Sequence, residues 1–286
     1  MTKIEWVGRS WNPVTGCTPV SEGCKNCYAE RMAKRMAGRF GYPKKKPFQV
    51  TTHTDRLDQP QNWRKPSSIF VCSMGDLFHE SLPFWAIDAV IGSCMAANWH
   101  TYIFLTKRPV IAYNYFDSTS DRMENFQKLK GILGVTAENQ AWADKRIPIL
   151  LQIPAAKRFV SCEPLLSPVD LNFNIKTGYG SFKESYLNIG LDWVICGGET
   201  GPGARPMHPD WAKSLRDQCQ EASVPFFFKS WGEWKGNYPG DSWEPSGRMQ
   251  HYYFDGPDLG KVWRCGKKNA GRLIDGQTWA QYPGVE

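Results

Sequence analysis

Six short apolar runs recur along this chain at a nearly even pace, and that pace limits the folds open to it. They are "SIFVCSMGD" ending at Asp76, "TYIFLTKR" at Arg108, "KGILGVTAEN" at Asn139, "KRFVSCEP" at Pro164, "DWVICGGET" at Thr200 and "PFFFKSWGE" at Glu233. Each is rich in β-branched or aromatic residues and closes on a polar cluster, the signature of a buried strand. Measured between Asp76, Lys107, Glu138, Glu163, Glu199 and Lys229, the intervals are 31, 31, 25, 36 and 30 residues. That is room for a strand and a helix each time, so the runs read as repeated βα units. The stretches between them agree. "LPFWAIDAVIGSCMAANWH" carries Phe84, Ile87, Ile91, Cys94 and Met95 at helical spacing. "HPDWAKSLRDQCQEASVP" offers Asp210 as a cap and Trp211, Leu215 and Cys219 as a stripe.

A first strand near "SWNPVT" brings the count to at least seven. Fully apolar parallel strands fit a sheet covered on both faces or closed on itself, so the expected fold class is α/β, a complete or partial TIM-like (βα) barrel. Residues 1–230 would form the barrel domain with its three-cysteine loop. From Trp231 onward glycine, proline and aromatic residues dominate, with brief strands around "QHYYFDG" and "KVWRCGKKNAGRLIDG". Residues 231–286 therefore read as a small β-rich C-terminal extension packed on the barrel. It would either cover the mouth with Lys267 and Lys268 or close the barrel's open edge.

In such barrels the chemistry sits at the carboxyl ends of the strands. The polar clusters gather there Asp76, Lys107, Arg108, Glu138, Asn139, Glu163, Glu199, Arg205 and Lys229. The segment "GCTPVSEGCKNCYAERMAKRM" joins the same rim after the first strand and contributes Cys17, Cys24 and Cys27. The next residues place Ala29, Met32, Ala33, Met36, Ala37 and Phe40 on one helical face, which would pin the loop, and charged residues on the other. The remaining cysteines, Cys72, Cys94, Cys162, Cys196, Cys219 and Cys265, are scattered singly and read as small core residues rather than a disulfide framework.

Three cysteines can serve two metal chemistries. A structural zinc needs four ligands, and the fourth would have to be His53 or a distant cysteine. A 4Fe–4S cluster held by only three cysteines keeps one iron open. Radical S-adenosylmethionine enzymes use that open iron to bind the methionine part of the cofactor, and electron transfer cleaves it to a 5'-deoxyadenosyl radical.

The segments "WNPVTGCTPVSEGCKNCYAERMA", "SMGDLF", "LTKRP", "GVTAEN", "SCEPLL", "CGGETGPGARP", "FFKSWGE" and "AGRLIDGQTWAQYP" cover nearly the whole chain. Together they resemble a bacterial and phage family of three-Cys-motif proteins of unassigned activity, itself similar to radical S-adenosylmethionine enzymes. The resemblance implies a barrel plan, a cysteine-held cluster and a phage or mobile-element context; it names no substrate. The spacing differs from the usual radical-enzyme motif, with six residues between the first two cysteines and Asn26 before Cys27. "GGE" at 197–199 is similar to a glycine-rich cofactor segment of those enzymes, but it ends a late strand and no role is carried over.

Position on the rim suggests roles. Ser73, Gly75 and Asp76 would meet the cofactor's amino group, Glu138 or Glu163 its ribose, and Lys107 or Arg108 its carboxylate. "GGETGPGARP" could cradle an anion gripped by Arg205. Glu163, Glu199 and Lys229 are candidate catalytic groups, with Trp231 and Trp234 placed for a base or a phosphate. His100 and His208 are isolated.

The formal charge of +7, with 13 Trp, 11 Tyr and 15 Phe, suits a nucleic-acid partner. No segment approaches the ~18 apolar residues of a membrane helix, so no membrane partner and a cytoplasmic location are expected. The expected function is an iron–sulfur, radical S-adenosylmethionine-type enzyme modifying or repairing DNA or a nucleotide-derived substrate, reduced by a flavodoxin- or ferredoxin-like partner. A zinc-stabilised nucleic-acid-binding protein and an iron–sulfur electron carrier or sensor are the alternatives.

Overall fold

The structure, a computed structural model, describes residues 4–129, 131–177, 180–236, 244–246, 248–255 and 260–284. Lys130, Gly256 and parts of the 231–286 segment, which figure in the expected strands and extension, lie outside the described residues. Seven strands, β1 (Arg9–Trp11), β2 (Ser68–Val71), β3 (Thr101–Thr106), β4 (Ile132–Thr136), β5 (Lys157–Cys162), β6 (Trp193–Gly197) and β7 (Phe226–Ser230), form one sheet in sequential order. The chain divides into two compact units, Met1–Val135 with Arg146–Arg158, and Thr136–Lys145 with Phe159–Glu286.

In the first unit β1, β2, β3 and β4 pair in parallel, with Trp11 opposite Val71, Val71 opposite Phe104 and Phe104 opposite Leu133. Helix α1 (Tyr28–Arg35) follows the cysteine loop, and α2 (Phe84–Ala96), α3 (Pro109–Asp117) and α4 (Ser120–Lys128) occupy the crossovers after β2 and β3. α2 buries Ile87, Val90, Ile91 and Cys94. Phe78, Phe104, Phe116 and Phe126 interlock beneath the helices, with centroids 5.9 Å apart for Phe78–Phe116 and 4.5 Å for Phe116–Phe126. Such apolar, two-face-buried strands allow only a crossover-connected parallel sheet.

In the second unit β5, β6 and β7 pair in parallel, Phe159 opposite Trp193 and Val194 opposite Phe226. Helix α5 (Gln140–Leu150), which belongs to this unit only as far as Lys145, precedes β5, and α6 (Pro209–Glu221) joins β6 to β7 and buries Ala212, Leu215 and Cys219. The longest interval holds an antiparallel hairpin, Asn172–Thr177 with Gly180–Ser185, where the other crossovers carry a helix. Beyond β7 the chain forms the antiparallel strands β8 (Trp234–Gly236), β9 (His251–Tyr253) and β10 (Lys261–Arg264) in the order β8–β10–β9. A tight hairpin follows, β11 (Leu273–Ile274) with β12 (Gln277–Thr278), turned by Asp275 and Gly276 at positive φ.

The fold is thus an α/β partial TIM-like barrel with a β-rich C-terminal appendage. Residues 279–281 run antiparallel along the outer edge of β7: Phe227 bridges Ala280, Phe228 N donates to Trp279 O (2.9 Å) and Gln281 N to Phe226 O (3.1 Å). This satisfies backbone groups that an edge strand would expose. Lys267 and Lys268 sit exposed on a short helical turn. Among the described residues no helix is long and apolar enough to cross a membrane.

Two local expectations are corrected. α1 stops at Arg35, because Gly38, Phe40 and Gly41 all take positive φ and turn the chain, so Phe40 is 72% exposed instead of completing the buried face. At α6 the cap is His208, whose ring Nδ1 accepts from Asp210 N at 3.1 Å, rather than Asp210 itself.

Candidate functional site

The cysteine loop is fixed at its start by close backbone packing. Gly16 has φ +89°, and a Cβ there would stand 2.2 Å from Gln49 O; a Cβ on Gly75 would stand 2.9 Å from Gly16 O. Gly16 N donates to Met74 O (2.9 Å) and Cys17 N to Phe48 O (3.2 Å). The loop then makes one 3₁₀ turn ending at Cys24, and Cys27 occupies the N-cap of α1. Ala29 and Ala33 of α1 pack with Tyr42 and Met74, against which Cys27, Met36 and Phe48 rest. The three cysteines are half-buried, while five of the other six are buried in the core.

Arg108 holds the loop from β3's carboxyl end. Its Nη1 donates to Cys17 Sγ (3.3 Å) and Asp76 Oδ2 (3.2 Å), its Nη2 to Thr18 O and Thr18 Oγ1 (2.9 Å each), and its Nε to Glu80. All five donors of the guanidinium are thereby used. Asp76 in turn accepts from Thr106 Oγ1 (2.8 Å), Phe78 N (3.1 Å) and Lys107 N (3.2 Å). Asp76 and Arg108 are both buried, so the Asp76 carboxylate fixes the Arg108 guanidinium in place against Cys17.

The thiols feel this surrounding unequally. Burial and the Asp76 charge push Cys17 up to about 11 against the pull of Arg108. At Cys24 burial acts in the same direction, but Lys107 and backbone hydrogen bonds around Val20 and Ser21 outweigh it and bring the thiol below its ordinary range. Cys27 is raised by burial, partly offset by the N–H groups of Glu30 and Ala29 at the helix start. Lys107 Nζ also donates to Ser21 Oγ at 3.3 Å.

His79 completes the network. Ser81 N donates to its Nδ1 (3.1 Å), which leaves the ring proton on Nε2 to be donated to Thr18 Oγ1 (2.9 Å). Thr18 Oγ1, already an acceptor from Arg108, donates its own O–H to Glu80 Oε1 at 3.3 Å. A cleft of ≈ 720 Å³ opens beside these groups, lined by Cys17, Thr18, His79, Lys34, Lys46 and Phe48 among others.

The second unit carries two ion pairs at its strand ends. Lys229 Nζ meets Glu163 Oε1 at 2.7 Å. Arg205 returns to Glu199 through its backbone N (2.8 Å) and Nε (2.9 Å) to Oε2 and through Nη2 to Oε1 (2.5 Å). The glycines of "GGE" have a packing reason: a Cβ on Gly198 would stand 2.1 Å from Trp231 O, and one on Gly197 3.0 Å from Glu163 Oε1. Glu138 is fully buried, and Leu166 N donates to its carbonyl at 2.8 Å.

Of the sequence-chosen residues, Cys17, Cys24, Asp76, Lys107 and Arg108 are therefore brought together with Cys27 in one loop system. Ser73 and Gly75 lie at its edge, where Ser73 Oγ donates to Asn12 Oδ1 (3.3 Å). Other placements correct the expectations. Trp231 and Trp234 are buried, their indole N–H groups donating to Leu273 O (2.9 Å) and Ala204 O (2.7 Å), so neither presents a face to a base. Arg205 grips Glu199 instead of an open anion cradle. His53 bonds Thr15 Oγ1 at 2.8 Å and His100 bonds Pro60 O at 3.0 Å, both within the buried interior. Thr18, His79 and Glu80 are the residues sequence reasoning missed; the one signal for the last two is that "HE" follows "SMGDLF" directly, three residues after Asp76.

Among the described residues no group of three or more His, Cys, Asp or Glu side chains stands ready to hold a metal ion. The donor chemistry fits an iron–sulfur cluster nonetheless: three sulfur ligands share one loop, Cys24 interacts electrostatically with both others, and two cations face them. Any group held by all three would have to draw the thiols together.

No curated protein matches the chain. Among solved structures, it is similar to spore photoproduct lyase with bound AdoMet and dinucleoside spore photoproduct, at 11% identity and a TM-score of 0.43, covering 89% of this chain and 68% of that one. A second structure, spore photoproduct lyase complexed with dinucleoside spore photoproduct, gives 11% identity and a TM-score of 0.42, covering 90% and 68%. Over residues 1–283 the chain matches, and therefore belongs to, the family described as "Protein of unknown function (DUF5131)".

Proposed function

We propose that this protein is a radical S-adenosylmethionine-type enzyme whose 4Fe–4S cluster is held by Cys17, Cys24 and Cys27 and whose substrate is a nucleic acid or a nucleotide-derived molecule. When bound, the cluster and S-adenosylmethionine supply a 5'-deoxyadenosyl radical for hydrogen abstraction, given one electron from a flavodoxin- or ferredoxin-like donor. The observation that carries the reading is the Arg108 contact at Cys17 Sγ, a cation built into the fold against a cysteine of a three-thiol loop. Arg108 pulls Cys17 toward the anionic form that binds iron, against burial and Asp76, which together keep the thiol raised until a metal displaces its proton.

The chain's own residues take revised roles in this reading. Arg108 orients the loop and Asp76 holds Arg108, since the hydrogen-bonding groups of both are engaged in these contacts. Lys107 offsets charge at Cys24. Ser73 and Gly75 stay candidates for the methionine end of the cofactor, Glu138 for its ribose. Glu163, Glu199 and Lys229 are proposed to hold or move protons at the strand ends of the second unit. We likewise propose that 231–286 is an extension to a 1–230 barrel domain, and that the protein works in the cytoplasm.

Iron and sulfide analysis of protein reconstituted without oxygen tests the reading, together with spin resonance of the reduced sample. About four irons and four sulfides per chain, with a signal altered by S-adenosylmethionine and lost in Cys24→Ala, are expected. One zinc and no sulfide would overturn it.

A further inference from the structure

The chain's excess charge is not spread over its surface. Residues 25–50 hold eight Lys and Arg side chains against Glu30 alone, which equals the +7 of the whole chain, so the rest carries equal numbers of acids and bases. An asymmetry of this kind marks a face built for a polyanion rather than a generally soluble surface. All of it lies in the first unit, and apart from Lys25 in the cysteine loop it is carried by α1 and the loop after it. Lys34, Arg35, Arg39, Lys44, Lys45 and Lys46 are exposed there.

Apolar rings stand among these charges. Tyr28 is 46% and Phe40 72% exposed. Phe40 is held at φ 52°, a conformation disfavoured for a bulky side chain, and Arg56 Nη2 secures its carbonyl at 2.5 Å. The chain keeps a strained backbone and leaves the ring in water, which makes sense if the ring has a partner elsewhere. The same face leads inward: Lys34 and Lys46 line the cleft that reaches Cys17 and Thr18.

The geometry points to this face as a docking surface for single-stranded nucleic acid, with Lys44, Lys45 and Lys46 on the phosphates and Phe40 stacking on a base. Isolated exposed rings between cations suit unstacked bases, whose faces a duplex hides. The inference gives a place to the substrate class of the function proposed above, but binding itself needs no iron.

The test is fluorescence anisotropy with a labelled oligothymidine of about fifteen nucleotides, comparing the iron-free wild-type chain with Phe40→Ala and with Lys44→Ala/Lys45→Ala/Lys46→Ala. The triple variant is expected to bind at least about tenfold more weakly at low salt and to flatten the log–log salt slope by about two, the share of three single-strand phosphates. Phe40→Ala is expected to lose about fivefold or more with the slope unchanged, as one stacking contact requires. A duplex of the same sequence should compete poorly. Wild-type binding by both variants would overturn the proposal. So would equal competition by polyglutamate together with wild-type affinity in Phe40→Ala, which would assign the face to an acidic protein. Reconstituted variants that keep wild-type iron and sulfide but lose oligonucleotide separate this surface from the cluster; a cluster-free protein that still binds leaves the surface standing and removes the enzymatic reading.

Discussion

Arg108 Nη1 lies 3.3 Å from Cys17 Sγ and 3.2 Å from Asp76 Oδ2, so one guanidinium nitrogen ties the cysteine loop to the loop that follows β2. Replacing it by methionine leaves the Asp76 carboxylate buried without its cation, a loss of about 3 kcal/mol. Arg108→Lys keeps the charge but not the five-donor fork and is expected to recover only part of this. Urea unfolding reads the loss, and the rate of Cys17 labelling by a thiol reagent reads the loosened loop. An Arg108→Met midpoint equal to wild type would remove the clamp from the account.

Two glycines should respond in opposite directions. A Cβ at Gly198 would press to 2.1 Å on Trp231 O, a backbone atom that cannot move aside alone, whereas nothing lies within 4 Å of a Cβ at Gly92 inside α2. Gly198→Ala is expected to cost about 2 kcal/mol or more, and Gly92→Ala to gain up to about 1 kcal/mol from helix propensity. Thermal melts of the two variants decide it; a neutral Gly198→Ala would mean that the backbones of "GGE" and "WGE" are not in this contact.

The contrast shows what the sequence could reveal. β2 to β7 were legible because strands buried on both faces must be apolar along their whole length, and the cysteine loop was legible because its three thiols are close in sequence. Phe40 was misplaced because the apolar period runs on past Arg35, while the positive φ of Gly38 and Gly41 ends the helix. The roles of Asp76 and Arg108 depend on Thr18, His79 and Glu80, separated from them by up to ninety residues, and no local pattern encodes such a meeting. Trp231 and Trp234 look available in sequence but spend their N–H groups inside the fold.

Glu163 and Lys229 form a half-buried pair whose coupling can be measured. With Nζ and Oε1 2.7 Å apart, a double-mutant cycle of Glu163→Gln and Lys229→Met is expected to give about 1 kcal/mol, at the upper end for pairs with this much exposure. Gly197→Ala should mimic part of the loss, because its Cβ would crowd Glu163 Oε1 at 3.0 Å. Urea titrations of the four chains yield the coupling energy; a value of zero would reduce the pair to two independent surface charges.

Acid should loosen the cysteine loop through His79. Burial and the Arg108 charge hold its imidazole below the ordinary histidine range, against smaller opposite effects of Glu80 and Asp76. The folded chain thus binds this proton less readily than the unfolded one, so stability present above about pH 6.5 is lost as pH falls through that value toward the folded pKa. The structural cause is specific: a proton on Nδ1 ends its role as acceptor from Ser81 N. In His79→Asn an amide oxygen can take that acceptor role without titrating. Between about pH 7.5 and pH 5.5 the thermal midpoint of the wild type is expected to fall further than that of His79→Asn, and the imidazole should titrate by NMR below the free value. Parallel curves for the two chains, or a raised imidazole pKa, would show that His79 does not hold Thr18 in the neutral form.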